Sequence, residues 1–284
     1  MTHLLSNNRR IKSSNVKLTV LILVLIPLLA CKDQNEKESA PFEKLVWSDE
    51  FDTPGAPDIS RWNYDLGDGC PDVCGWGNNE LEYYTSDPKN VRIENGMLVI
   101  EAHHDSLNGK GFTSTRIVSK NKGDWTYGRI EVKAKLPSGK GTWPAIWMLS
   151  TDWSYGGWPA SGEIDIMEHV GYDQGVVHGT IHTEAYNHIK QTQKEGKITV
   201  SDASTAFHVY AIDWKENKMN FFVDDKLYHS VTRDPKDDFK GWPFDKRFHL
   251  IMNVAVGGNW GGKEGIDENI WPQRMEIDYV RVYQ

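Results

Sequence analysis

The run Glu163-Ile164-Asp165-Ile166-Met167-Glu168 places three carboxyl groups within six residues. On a strand, successive side chains point to opposite faces. Glu163 and Asp165 therefore share one face, and Ile164 and Ile166 share the other. Strict alternation would send Glu168 to the isoleucine face, where an unpaired buried carboxylate is costly. One extra residue, a β-bulge near Met167, returns Glu168 to the face of the other two acids. Two facing carboxyl groups, one ionised and one protonated, can cleave a glycosidic bond; a retaining enzyme holds them about 5–5.5 Å apart. The acid must keep its proton near neutral pH, and a negative neighbour raises its pKa. Asp165, between the two, can hydrogen-bond the nucleophile. Once the nucleophile is glycosylated its charge is gone, and the acid can release its proton and serve as base. The order of the acids alone does not say which glutamate plays which part. The same alternation also occurs on solvated strand edges and in calcium sites.

Aromatic residues surround this run. Trp143, Trp147 and Trp158 lie shortly upstream, in a chain with 12 tryptophans. Sugar rings present apolar C–H faces that stack on aromatic rings, although burial in a core explains many single tryptophans.

The elements that must position these residues are strands. Met97–Ala102 follows an Asn95-Gly96 turn, Tyr127–Leu136 and Phe207–Trp214 alternate, and Asn220–Val223 and Lys226–His229 flank an Asp224-Asp225 turn. Phe248–Val256 and Met275–Tyr283 follow. No stretch has a long helical period. Many strands joined by Gly, Asn, Asp and Pro turns indicate an all-β sandwich or jelly roll.

Residues 1–30 are not part of this fold. Arg9, Arg10, Lys12 and Lys17 precede an apolar stretch over 18–30, which reads as a secretory signal. Leu28-Leu29-Ala30-Cys31 resembles a bacterial lipobox, which implies lipidation of Cys31. Residues 31–41 then form the lipidated cysteine and a charged, flexible tether, and 42–284 a single catalytic domain. The expected destination is export and attachment to a bacterial membrane, with Lys32 compatible with the outer membrane. Contact with the membrane is expected through the anchor only. The formal net charge is −8, and −12 without the four basic residues of the leader. This acidity argues against nucleic acid, whose binding relies on neutralising phosphates, and suits a neutral polysaccharide. Cys70 and Cys74, the cysteines that remain, can pair in an oxidising compartment and brace a loop.

The acid run resembles the signature of glycoside hydrolase family 16 in its bulged form, and the flanking text is similar to the laminarinases of that family, the endo-β-1,3-glucanases. The similar stretches are Trp76–Thr85, Trp125–Glu131, Trp143–Leu149, Trp158–Gly162, His178–His182, Asn253–Trp260 and Pro272–Met275, in order along nearly the whole domain. The resemblance implies a jelly-roll sandwich of two curved antiparallel sheets with an open concave cleft. It implies Glu163 as nucleophile, Asp165 as its assistant and Glu168 as acid/base. Trp143, Trp147 and Trp158 match sugar subsites before the cleavage point. Asn79 and His182 match cleft positions, and Trp260 sits on a Gly-rich loop that covers the cleft. A structural calcium away from the cleft is implied at Glu50, Gly96 and Asp278; no metal or cofactor is expected to take part in catalysis. The implied activity is retaining endo-hydrolysis of laminarin-like β-1,3-glucan, or of mixed β-1,3/1,4-glucan, by a monomer. Within the family the alternative is a galactan hydrolase of the agarase, carrageenase or porphyranase type. A non-catalytic β-glucan-binding protein is disfavoured because all three acids are present, and a transglycosylase because the unbulged runs of that group differ.

Overall fold

The computed structural model describes residues 42–284. The expected signal, Cys31 and the tether lie outside the described residues. Among the described residues the strands form two sheets, one of ten strands and one of eight, and the only helix is a 3-10 turn at Cys74–Gly77. The β-sandwich expectation therefore holds.

Turn chemistry sets the hairpins. Asn95 and Gly96 both have positive φ (55° and 72°) and join Val91–Glu94 to Met97–Leu107. Asp224 and Asp225 do the same (49° and 61°) between Lys218–Val223 and Lys226–Thr232. Two-residue turns with φ > 0 at both positions match the right-handed twist of the strands they join.

The acid strand, Glu163–His169, lies inside the smaller sheet. Thr142–Ser150 pairs with it on one side and Val176–His182 on the other, both antiparallel. Phe248–Val256 pairs with the far edge of Thr142–Ser150, and Arg116–Val118 follows it. Alternation divides each strand between two environments. Ile146, Met148, Ile164, Ile166, Leu250, Met252 and Val254 are fully buried in the main core between the sheets. Each such side chain contributes roughly 1.5–3 kcal/mol on burial. Leu149, Ile251 and Val118 form a separate apolar cluster, with Trp147, Trp153 and Trp158 packed on it.

The all-antiparallel expectation needs one correction. Glu82–Tyr84 pairs parallel to Phe112–Ser114. Parallel neighbours need a long connection, and the hairpin of Val91–Glu94 with Met97–Leu107 lies between the two. Cys70 and Cys74 are joined by a disulfide, which closes the loop leading into the 3-10 turn.

Candidate active site

The strand register shows how the acids meet. Glu163 lies opposite Leu149 and His182, Asp165 opposite Trp147 and Thr180, and Glu168 opposite Ala145 and His178. Between Asp165 and Glu168 the acid strand spends one residue more than either neighbour, and both pairings shift there. Ile166 and Met167 are both fully buried in the core. The bulge thus places two consecutive apolar side chains inward and turns Glu168 outward, beside Glu163 and Asp165.

Each glutamate is held by an indole. Trp158 Nε1–H donates to Glu163 Oε2 at 2.7 Å, and Trp143 Nε1–H donates to Glu168 Oε1 at 3.1 Å. Trp147 points its N–H elsewhere, to Asn253 Oδ1 at 2.7 Å. Asp165 is almost completely buried, whereas the two glutamates keep partial access to solvent.

Burial and mutual repulsion raise all three acids. Burial is the main cause that pushes Glu163 up to about 7, opposed by the hydrogen bonds from Trp158 and Asp165 and by the Arg116 guanidinium. Burial, then the Glu163 charge, pushes Glu168 up to about 8, against the bond from Trp143. Asp165 is raised well above the usual carboxyl range by burial and then by both glutamates. It therefore keeps a proton and can donate it in a hydrogen bond to Glu163. This is a division of labour: an ionisable Glu163, a neutral Asp165 that supports its charge, and a Glu168 that stays protonated longest of the two glutamates.

His182 lies beside this pair, with Nε2 3.4 Å from Asp165 Oδ2 and 4.0 Å from Glu163 Oε1. Burial and neighbouring His188 pull it down to about 4, so the ring is neutral. One ligand atom each from Glu163, Asp165 and His182 lies within 4.8 Å of the others. Trp260 does approach the acids: its ring packs edge-on against Trp143 at 5.5 Å and His178 at 4.8 Å. Asn79 is exposed on the rim, where it donates to Asn259 Oδ1 at 2.8 Å and so ties its loop to the Gly-rich loop of Trp260.

Several residues of the site were not singled out from sequence. Arg116 lies between two rings, 4.4 Å from Trp76 and 4.7 Å from Trp147, and pairs with Asp65 at 3.1 Å. Such cation–π contacts orient a guanidinium. Asn253 continues from Trp147 to Tyr84 Oη at 3.0 Å, and Tyr84 donates to Glu80 Oε2 at 3.3 Å. Glu80 and Glu82 are buried, bonded to each other, and both raised by burial. His178, opposite Glu168, is bonded to Glu195, whose carboxyl that bond holds down to about 2. Arg116 carried no sequence signal, whereas Glu80, Glu82, Tyr84, His178 and Asn253 fall within stretches that resemble the family without a role of their own being assigned.

Two of the three residues expected to hold calcium have side-chain partners in this structure. Glu50 accepts from Arg281 at 3.0 and 2.8 Å, and Asp278 pairs with Lys133 at 2.7 Å. Gly96 sits in its hairpin turn. An ion at Glu50, Gly96 and Asp278 would displace Arg281 and Lys133 from half-exposed pairs, which are individually weak.

A family model, glycosyl hydrolases family 16, matches residues 78–281. The chain belongs to this family. Within it, this family 16 protein is 51% identical over 270 residues to a beta-glucanase from Rhodothermus marinus, covering 92% of this chain and 93% of that one. Its fold is similar to the solved laminarinase from Rhodothermus marinus, with a TM-score of 0.82 at 52% identity over 85% of this chain and 97% of that chain. It is also similar to a mutant of SCLam, a non-specific endo-beta-1,3(4)-glucanase of family 16 crystallised with an oligosaccharide. There the TM-score is 0.81 at 47% identity, over 86% of this chain and 98% of that one.

Proposed function

We propose that this family 16 protein is a retaining endo-hydrolase of β-1,3-glucan that works by double displacement. The observation that carries the reading is the bulged strand, which sets Glu163, Asp165 and Glu168 on one face with an indole on each glutamate. Glu168 donates its proton to the glycosidic oxygen as Glu163 attacks the anomeric carbon. The C–O bond to the leaving sugar breaks, and a glycosyl ester forms on Glu163. The negative charge of Glu163 is then gone, which lowers the proton affinity of Glu168. Glu168 takes a proton from water, the water oxygen attacks the anomeric carbon, and Glu163 leaves as carboxylate. Asp165 keeps its proton close to Glu163 throughout and stabilises the carboxylate whenever it reappears. The names of the relatives, beta-glucanase, laminarinase and non-specific endo-beta-1,3(4)-glucanase, support glucan as substrate and make mixed-linkage glucan a second one.

Incubation with laminarin, lichenan, agarose and κ-carrageenan, with product anomers followed, tests this. Oligosaccharides released from laminarin as β-anomers are expected. Activity on a galactan alone would keep the acids in their roles and overturn the substrate.

We further propose, from sequence, that Cys31 carries a lipid and holds a monomeric enzyme at the bacterial outer membrane. A Cys31→Ser variant should leave the membrane fraction and keep its activity; if it still sediments with membranes, the anchor is wrong.

A further inference from the structure

The loop over 151–162 carries Tyr155 besides Trp153 and Trp158. Tyr155 stacks on Phe239 with centroids 5.0 Å apart and planes 13° from parallel. Phe239 is 42% exposed. These two rings, with Tyr127 and Trp242, line a cavity of about 180 Å³. The remaining wall is polar: Glu216, Arg233 and Asp245.

The walls are built rather than loose. Trp242 is buried and donates its Nε1–H to the Glu216 carbonyl at 2.7 Å. Tyr127 packs edge-on against Trp214 at 5.5 Å. Tyr155 donates its hydroxyl to Asp245 at 2.8 Å. Two nitrogens of Arg233 donate to the Asp237 carbonyl, which orients the guanidinium. None of these residues belongs to the three acids or their indole partners.

We propose that this cavity is an accessory site for one ring of a neutral glucan chain, apart from the catalytic acids. The identity of the sugar rests on the glucan reading above; the site itself goes beyond it. Aromatic faces suit the C–H face of a pyranose. Carboxylates accept from its hydroxyls and a guanidinium donates to its oxygens, which are the stronger, charge-assisted kind of hydrogen bond. Asp245 is already paired with Lys246 at 3.1 Å, and the Lys246 ammonium lies 5.3 Å over the Tyr155 ring, so Glu216 and Asp245 balance Arg233 and Lys246 and a near-neutral wall suits an uncharged sugar. The volume admits a single ring and excludes a folded or helical peptide. A polymer held here and in the cleft is bound at two points, so its local concentration at the acids rises. A short oligosaccharide cannot use both.

The test compares the full-length protein with Phe239→Ala and Glu216→Gln, two substitutions at exposed positions. On long laminarin, KM should rise about three- to tenfold in each variant, with kcat unchanged. Kinetics on a short laminari-oligosaccharide should not move. In a Glu163→Gln background, where turnover is removed, gels containing laminarin should retard the parent more than either double variant. Equal retardation of all three, including none at all, overturns the site, as does an unchanged KM on the polymer. Failure of the parent enzyme to release reducing ends from laminarin would count against the proposed activity instead. Matching unfolding temperatures for the variants and parent guard against a folding artefact.

Discussion

Trp158 Nε1–H donates a 2.7 Å hydrogen bond to Glu163 Oε2, five residues along the chain. The loop between them lets the indole reach the first residue of the acid strand. The bond favours the ionised form of Glu163. Trp158→Phe keeps a ring but removes the donor. Hydrogen bonds to charged groups contribute about 1.5–3 kcal/mol, so kcat/KM should fall roughly 10- to 100-fold. The acidic limb of the pH profile should move to higher pH, because Glu163 becomes harder to ionise. A Phe variant with an unmoved limb would mean that the ring alone matters.

The pH profile of the parent should be a narrow bell. Activity needs Glu163 ionised and Glu168 protonated, so it is lost as pH falls below about 7 and as it rises above about 8. The limbs belong to the coupled pair rather than to either residue alone. Initial rates on laminarin between pH 5 and 10 check this, and a broad plateau down to pH 5 would contradict the raised Glu163.

The same protons act on stability. Both glutamates bind protons more tightly in the fold than at their ordinary value of 4.5. The folded state therefore holds more protons than the unfolded chain from about pH 4.5 to 8, and stability falls as pH rises through that window. Glu168→Gln removes one such burden. Its unfolding midpoint at pH 8.5 should exceed that of the parent by about 2–4 °C, the effect of about 1 kcal/mol in a domain of this size. The advantage should vanish near pH 4. Calorimetry at the two pH values decides it.

Glu163→Gln and Glu168→Gln should fail in different ways. The first removes the nucleophile, and turnover should drop at least about 10³-fold with every substrate. The second removes the general acid, a loss of about 10²–10⁴-fold on laminarin. An aryl glucoside that needs no proton on departure should still form the glycosyl ester in Glu168→Gln, seen as a burst. Equal defects on both substrates would reverse or void the assignment of roles.

Deleting Met167 tests the bulge directly. Without the extra residue Glu163, Asp165 and Glu168 fall at alternate positions, so a regular strand keeps all three on one face and no bulge is needed. The deletion variant should therefore keep activity, with a stability loss of roughly 2–5 kcal/mol for the missing core side chain. Activity measurement together with circular dichroism separates the two effects. A deletion variant that folds but has lost its activity would refute the account.

The acid run and its bulge were legible because the cost of burying Glu168 leaves few alternatives. The Asn95-Gly96 and Asp224-Asp225 turns were legible because these residue types tolerate φ > 0. The burial of the Glu80–Glu82 pair was not, although its stretch resembled the family, since that burial comes from distant strands. The ion pairs of Glu50 and Asp278 were not legible for a related reason. Glu50 meets Arg281 from the far end of the chain, and Asp278 meets Lys133, and neither pairing has a local signal.

Sequence alone thus determined the run of three acids, the face they share and the strands that hold them, because side-chain alternation and turn preference are local properties. Tertiary structure decided which environment each acid works in. Arg116 reaches the site because its strand pairs with Phe248–Val256, which pairs in turn with Thr142–Ser150 beside the acids. The indoles on Glu163 and Glu168, the neutral His182 and the raised proton affinities arise from the same long-range assembly. Burial and electrostatic coupling depend on distance in space, and only the packed sheets bring these groups within reach of one another.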